Sequence, residues 1–301
     1  MRVFPVFDAK PLNKNFGLDI SGFDFKNPTP SDINVIRDSV HEHFVVRIRG
    51  QEFSDEDQLR FTQHFGELSV PTLRQTFGKD QDGTPDHMST VSNIEVDGEK
   101  IGQFGSEELD WHTDLNYKER PHAWSLLHAI ELPSKGGDTH FVNTRLAYEA
   151  LPSNKKIQIN SINARHDIWS LSLQRGSKDH GKLAPGLPPP DNYTDEDWWK
   201  KHNGIEHPLV RTHPNTKKKA LYFGRRLNLY IPGIPFEESE QLIDDLFKHT
   251  IATRDFTWIQ NWQLGDLVIW DNRSGMHKRE PFDPTERRLM RRTNTQGERP
   301  Y

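Results

Sequence analysis

Short stretches with alternating or continuous apolar residues, each closed by a turn, recur along most of this chain. No other feature narrows its fold as much. FGLDISGFDF (16–25) alternates in part at period two, with Gly22 as a turn. Phe44–Ile48, Ser89–Ile94, Ala123–Ile130 and Thr139–Asn143 read as strands, the last after a Gly136-Gly137-Asp138 turn. His207–Arg211 and Ala220–Phe223 flank a turn at Asn215-Thr216, and Asp255–Gln263, Leu267–Trp270 and Arg287–Gln296 supply strands near the C-terminus. Helical patterns are fewer. Ser31-Asp32 opens one that runs to about His43, with Ile33, Ile36, Val40 and Phe44 on one face. Ser54 is a suitable N-cap for Asp55–Phe65, which Gly66 ends. Arg145–Leu151, Asn154–Ile162 (capped by Ser153) and Glu237–His249 complete the set. Many short strands with helices placed early and late predict a mainly β sandwich or barrel with flanking helices. A β unit of this kind can take up all 301 residues as a single domain.

Two segments interrupt the pattern. Residues 69–108 are loop-rich, with Pro71, Gly78, Gly83, Pro85, Gly98, Gly102 and Gly105. Residues 171–206 contain Pro188-Pro189-Pro190 and read either as a mobile insertion or as a lid over a site. The net charge of −5 favours neither nucleic acid nor an anionic membrane as partner. No apolar run approaches the roughly 18 residues of a membrane span, and MRVFPVFDAK has no secretory core, so a cytoplasmic protein is expected. The chain has no cysteine, which excludes disulfides and thiolate ligands and leaves His, Asp and Glu to hold any metal.

Trp111-His112-Thr113-Asp114 is the stretch with the most chemistry. On a strand, His112 and Asp114 would share a face, and an imidazole with a carboxylate makes half a metal site. His277, which follows the apolar stretch Gly265–Trp270 and a turn, is the candidate that completes it. Two histidines and one carboxylate on one side of an ion are the facial triad of non-haem Fe(II) oxygenases, with the other side open. The remaining histidines read as packed or exposed residues, His122, His128 and His140 among them. Beyond His277, Arg288, Met290 and Arg292 share one strand face. A buried arginine needs an anion, and a guanidinium fork suits a dicarboxylate; surface pairing with Glu280, Asp283 or Glu286 is the alternative.

These motifs sit within a wider likeness. HFGEL (64–68), WHTD (111–114), ELPSKGGDT (131–139), AYEALP (147–152), HPLVRTHP (207–214), LYFGRR (221–226), GDLVIWDNR (265–273) and ERRLMRRT (286–293) resemble the taurine / 2,4-dichlorophenoxyacetate dioxygenase family along nearly the whole chain. The resemblance implies a double-stranded β-helix, or jelly roll, and an Fe(II)- and 2-oxoglutarate-dependent dioxygenase. Such an enzyme uses O2 to hydroxylate an unactivated C–H of a small organic substrate, releasing succinate and CO2. It implies His112, Asp114 and His277 as iron ligands, Thr139 and Arg288 as contacts of the distal carboxylate of 2-oxoglutarate, and Arg292 as a contact of an anionic substrate. Trp270, Asp271 and Arg273 would support the second histidine. A metal-dependent hydrolase or a non-catalytic binding protein on the same barrel are the competing readings, and a dimer or tetramer is an expected assembly.

The chain departs from taurine-specific members. Ser69-Val70-Pro71-Thr72, with no histidine, follows Gly66-Glu67-Leu68, and Glu108 stands four residues before His112. Taurine is therefore a poor expectation. Glu108 and Asn116 are candidate substrate contacts, and Glu108 facing solvent is the other reading.

Overall fold

The structure, a computed structural model, describes residues 7–13, 16–71, 84–167, 204–224 and 226–301. Two facing sheets organise it. Their strands in chain order are β1 (Asp8–Asn13), β2 (Phe16–Ser21), β3 (Val45–Ile48), β4 (Met88–Ser92), β5 (Leu109–His112), β6 (His122–Glu131), β7 (Thr139–Asn143), β8 (Thr257–Gln260), β9 (Leu267–Asp271), β10 (Gly275–Arg279) and β11 (Leu289–Gln296). The larger sheet runs β1-β2-β3-β9-β6-β11-β4 and the smaller β8-β7-β10-β5. Every pairing is antiparallel except β2 with β3.

Period-two alternation divides the strands between three cores. Val45, Leu127, Ala129, Val268, Trp270 and Met290 of the large sheet meet Phe141 of the small sheet between the two layers. Their neighbours point the other way. Val46, Ile48, Trp124, Leu126, Leu267 and Ile269 pack under two helices, α1 (Pro30–His43) and α2 (Asp55–Gln63), which contribute Ile33, Ile36, Val40 and Phe61. Behind the small sheet, Val142 and Met276 pack against α3 (Thr144–Glu149), α4 (Ser153–Ile159) and α5 (Phe236–Ala252) through Ala147, Ile159, Ile243 and Leu246. Because Phe141 faces in and Val142 faces out, a one-residue slip of the small sheet would invert every side chain on it. Met276 also faces out, so His277 faces in.

Both long N-terminal helices start as the sequence predicts, with one shift. In α2, Ser54 Oγ accepts from Asp57 N and the Asp57 carboxylate accepts from Ser54 N. In α1 the cap is Thr29, two residues before Ser31 of the expected start, and Asp32 closes its capping box while Pro30 is the first helical residue. Other boundaries need correction. Ser153 lies inside α4, whose N-cap position is Pro152, an extended residue with no capping hydroxyl. The stretch 255–263 is a strand only over Thr257–Gln260, because Arg254–Phe256 forms a 3-10 turn. His277, expected after the turn that ends the Gly265–Trp270 stretch, lies on β10, a strand whose bounds the sequence pattern does not mark. Of the loop-rich segment 69–108, residues 88–92 form β4 and 95–100 a small hairpin, while 72–83 lie outside the described residues. The 171–206 segment lies outside them up to residue 203. No described helix is long and apolar enough to cross a membrane.

Candidate active site

The interior face of the small sheet carries the two histidines. β5 and β10 pair antiparallel with His112 opposite His277, and the two rings lie 4.2 Å apart. Trp111 and Lys278, their outward neighbours, meet on the other face, where the Lys278 ammonium sits 5.8 Å from the indole. Asp114 joins the histidines by a route the sequence did not suggest. β5 ends at His112, so the carboxylate arrives through a turn and not through strand alternation. Asn272 holds that turn. Its Oδ1 accepts from Asp114 N at 3.0 Å, and its Nδ2 donates to the carbonyls of Asp114 and His122 at 3.0 and 3.1 Å.

The three side chains converge without bonding to one another. His112 Nε2 is 3.7 Å from Asp114 Oδ1 and His277 Nε2 is 3.9 Å from Asp114 Oδ2, both too long for hydrogen bonds. All three are buried, and one nitrogen or oxygen from each lies within 4.8 Å of the others. Asp114 Oδ2 is buried with no hydrogen-bond partner among the described residues. His112 Nδ1 lies 2.7 Å from Asp110 O, so its proton donates there and the Nε2 lone pair is directed into the gap. Burial alone would raise the Asp114 carboxyl, but Arg292, His277 and His112 outweigh it and hold the group below the usual carboxylate range. An ionised carboxylate and an imidazole lone pair, both buried and aimed at one gap, fit a divalent ion.

A second His/Asp group has comparable spacing and a different character. His41, His213 and Asp271 also cluster, yet His213 Nδ1 accepts from the backbone of Asn215 and Thr216, and its Nε2 donates to Asp271 Oδ2 at 2.6 Å. Arg273 binds both Asp271 oxygens at 2.7 and 3.0 Å. The Asp271 carboxylate is thus occupied by hydrogen bonds to His213 and Arg273.

Further along the interior lies a positive group. Arg288 is 1% exposed, and its Nε and Nη1 have no hydrogen-bond partner among the described residues. Among the described residues its one side-chain hydrogen bond is a long one, 3.4 Å from Nη2 to Gly137 O. Burial and the nearby Arg279 push its pKa down to about 9, only partly opposed by Asp138. Gly137, at φ +72°, leaves the space that the guanidinium takes: an added Cβ would sit 3.2 Å from Nε. Arg279 differs because it donates to the Phe104 and Glu107 carbonyls. Thr139 is buried nearby in sequence, and its Oγ1 accepts from Trp262 Nε1 at 3.0 Å, which leaves the hydroxyl proton to donate elsewhere. An unpaired buried guanidinium calls for an anion.

Arg292 reaches the metal-type cluster, with Nη1 3.4 Å from Asp114 Oδ1 and its guanidinium 5.7 Å from the Phe104 ring. Its Nε is buried and unpartnered. Two expected substrate contacts fare differently. Asn116 is buried, but its amide is engaged with His166 Nδ1 at 2.8 Å. Glu108 is not brought to the site. It is exposed and pairs with outward-facing Lys278 at 3.5 Å, since the strand that turns His277 inward turns Lys278 out. The sequence reading missed Asn272, although it stands in the quoted GDLVIWDNR stretch, and Trp262, for which no local pattern signals a partner.

The profile described as "Taurine catabolism dioxygenase TauD, TfdA family" matches residues 8–294. The chain belongs to this family. Among its relatives, the TauD/TfdA protein named alpha-ketoglutarate-dependent 2,4-dichlorophenoxyacetate dioxygenase, from Cupriavidus pinatubonensis, is 28% identical over 296 residues, covering 95% of this chain and 96% of the relative. Pentalenolactone F synthase of Streptomyces avermitilis is 30% identical over 292 residues, covering 93% of this chain and 90% of that one. In three dimensions the chain is similar to AAD-2, solved in complex with Mn(II) and N-oxalylglycine, with TM-score 0.75, 27% identity and coverage of 98% and 99%. This TauD/TfdA chain is therefore an alpha-ketoglutarate-dependent dioxygenase with a jelly-roll core, and Fe(II), 2-oxoglutarate and O2 are its cofactor and cosubstrates.

Proposed function

We propose that His112, Asp114 and His277 hold Fe(II), that Arg288 and Thr139 bind the distal carboxylate of 2-oxoglutarate, and that the enzyme hydroxylates an unactivated C–H of a small organic anion read by Arg292. The observation that carries this is the buried Arg288 guanidinium, two of whose nitrogens lack partners, on the same barrel interior as the His–Asp–His gap. Bound iron with 2-oxoglutarate supplies activation of O2, with succinate and CO2 as coproducts. The chain's own residues do the positioning. The Asp110 carbonyl fixes the His112 tautomer, Asn272 fixes the Asp114 backbone, and surrounding charges keep the Asp114 carboxylate ionised. Arg288 supplies charge to the cosubstrate carboxylate, and the Thr139 hydroxyl, accepting from Trp262, donates its proton to the same group. Phe141, Trp270 and Met290 line the interlayer core and exclude water. Arg292 is one cationic group at the metal-facing end, and two relatives are named for carboxylate substrates, 2,4-dichlorophenoxyacetate and (S)-phenoxypropionate. This reading treats residues 1–301 as one catalytic domain that works in the cytoplasm on a small molecule.

The test is a substrate panel of aryloxyacetates, alkyl sulfates, sulfonates and amino-acid derivatives, scored by succinate. Formation that requires Fe(II), 2-oxoglutarate and O2 together is expected. Product formation under argon without 2-oxoglutarate would overturn the reading in favour of a hydrolase. Independently, Asp114→Ala is expected to keep the circular dichroism of the parent and lose tight Fe(II) or Co(II) binding in a titration, since it removes one of three protein ligands.

A further inference from the structure

His122 stands out among the buried histidines of the described residues. It is 5% exposed, and neither ring nitrogen has a hydrogen-bond partner. Its buried counterparts are accounted for. His128 bonds Gln51 O, His207 bonds Lys118 O, His213 bonds Asp271, and His166 bonds Asn116. A buried polar side chain with no bond among the described residues points to a partner that is not one of them, a bound ligand being the first candidate.

The register of β6 and β11 determines which way His122 faces. Ser125 is opposite Asn294, yet His122 is opposite Gln296, so three steps on β6 span two on β11. This is a β-bulge, and it reverses the alternation beyond it. Simple period two would put His122 with Trp124 and Leu126 under the helices. With the bulge it falls on the face of Ser125 and Leu127, the interior. The opposing strand agrees: Asn294 Nδ2 donates to Ser125 Oγ at 2.6 Å across that face, and Arg292, two residues earlier, reaches Asp114 from it. The His122 carbonyl is held by the same Asn272 amide that holds the Asp114 carbonyl, which fixes His122 beside the cluster. Burial pushes the His122 pKa down to about 4, with Asp114 and Arg292 both close enough to act on it. At neutral pH the ring therefore offers one N–H donor and one lone pair.

We infer that His122 is a substrate-reading residue that acts with Arg292, and that the substrate is an organic acid whose carboxylate pairs with Arg292 while a neutral oxygen near it (ether, hydroxyl or carbonyl) hydrogen-bonds His122. The inference rests on the dioxygenase reading above and narrows its substrate class.

Matched pairs of acids test it: phenoxyacetate against 3-phenylpropanoate, and 3-hydroxyoctanoate against octanoate, each differing by the oxygen alone. The readout is kcat/KM for succinate formation by the full chain with Fe(II). The oxygenated member of at least one pair is expected to be preferred about tenfold, the worth of one good hydrogen bond. His122→Phe should reduce that preference to about twofold or less, with KM for 2-oxoglutarate unchanged. His122→Gln, which keeps a donor and an acceptor, should retain part of it. His122→Ala gives the same comparison should the phenyl ring fail to pack, with folding checked by thermal melt. A preference that survives in His122→Phe or His122→Ala overturns the inference, as does a parent protein with no preference in either pair. Failure of the underlying reading looks different. It gives no iron-dependent succinate even without added substrate, whereas basal succinate that no acid stimulates sinks only the proposed substrate class.

Discussion

At the scale of single residues, Arg288 and His122 present the same physical problem with opposite legibility. Each is buried with polar atoms that have no hydrogen-bond partner among the described residues. Arg288 could be singled out from sequence because it shares a strand-like face with Met290 and Arg292 and stands in a motif shared with the family. His122 could not, because only the bulge at the start of β6 turns it inward, and no sequence pattern announces a bulge there. A buried, unpaired cation is costly to fold, so Arg288→Met should behave unlike an ordinary core mutation. Without 2-oxoglutarate its melting temperature should equal or exceed that of the parent. Its KM for 2-oxoglutarate should rise roughly 10- to 100-fold, matching a hydrogen bond to a charged group. A clear drop in melting temperature with unchanged KM would make Arg288 a structural residue.

At the scale of elements, the strands with continuous apolar cores were legible and the site-bearing ones less so. β6 and β9 are full of Leu, Ile, Val and Trp and were expected within a residue or two. β10, Gly-Met-His-Lys-Arg, has one strongly apolar residue in five and gives no period-two signal of its own; the β7 and β5 ladders on either side hold it extended. The link from His112 to Asp114 was right in outcome and wrong in cause, since the turn clasped by Asn272 replaces the expected strand. β10 depends on its first residue. A Cβ on Gly275 would come 2.2 Å from the Phe44 ring and 2.4 Å from the Val142 carbonyl, and that carbonyl belongs to the adjoining strand β7. Gly275→Ala should therefore destabilise the fold by about 1–3 kcal/mol or more, the range for overpacking. Because His277 lies two residues on, Co(II) affinity should fall in parallel. Urea denaturation and metal titration check both, and a parent-like midpoint would mean that β10 can shift without harm.

At the scale of the whole molecule, the many buried neutral histidines make stability depend on pH in a definite direction. Burial pushes His128 and His207 down to about 4 and His166 well below its ordinary value. None of these is among the proposed metal ligands. In the unfolded chain each titrates near its ordinary value of about 6.5. Between pH 6.5 and 4 the unfolded chain therefore binds protons that the native protein refuses, so the unfolded state is favoured as pH falls. The stabilisation is fully present above about pH 6.5 and is lost progressively toward pH 4, by ~1 kcal/mol per pH unit for each histidine at most. The depressed carboxylates Asp114 and Asp271 add a loss of the same sign, but only below the ordinary carboxylate range, so they do not contribute in this window. Melting temperature should thus fall steadily from pH 7 to pH 5. His128→Leu, which replaces a ring stacked on Phe53 with an apolar side chain, should make that slope shallower. Thermal melts of the metal-free protein and the variant across this range provide the check. A flat profile for the parent, or an unchanged slope in His128→Leu, would show that these histidines are not held neutral by the fold.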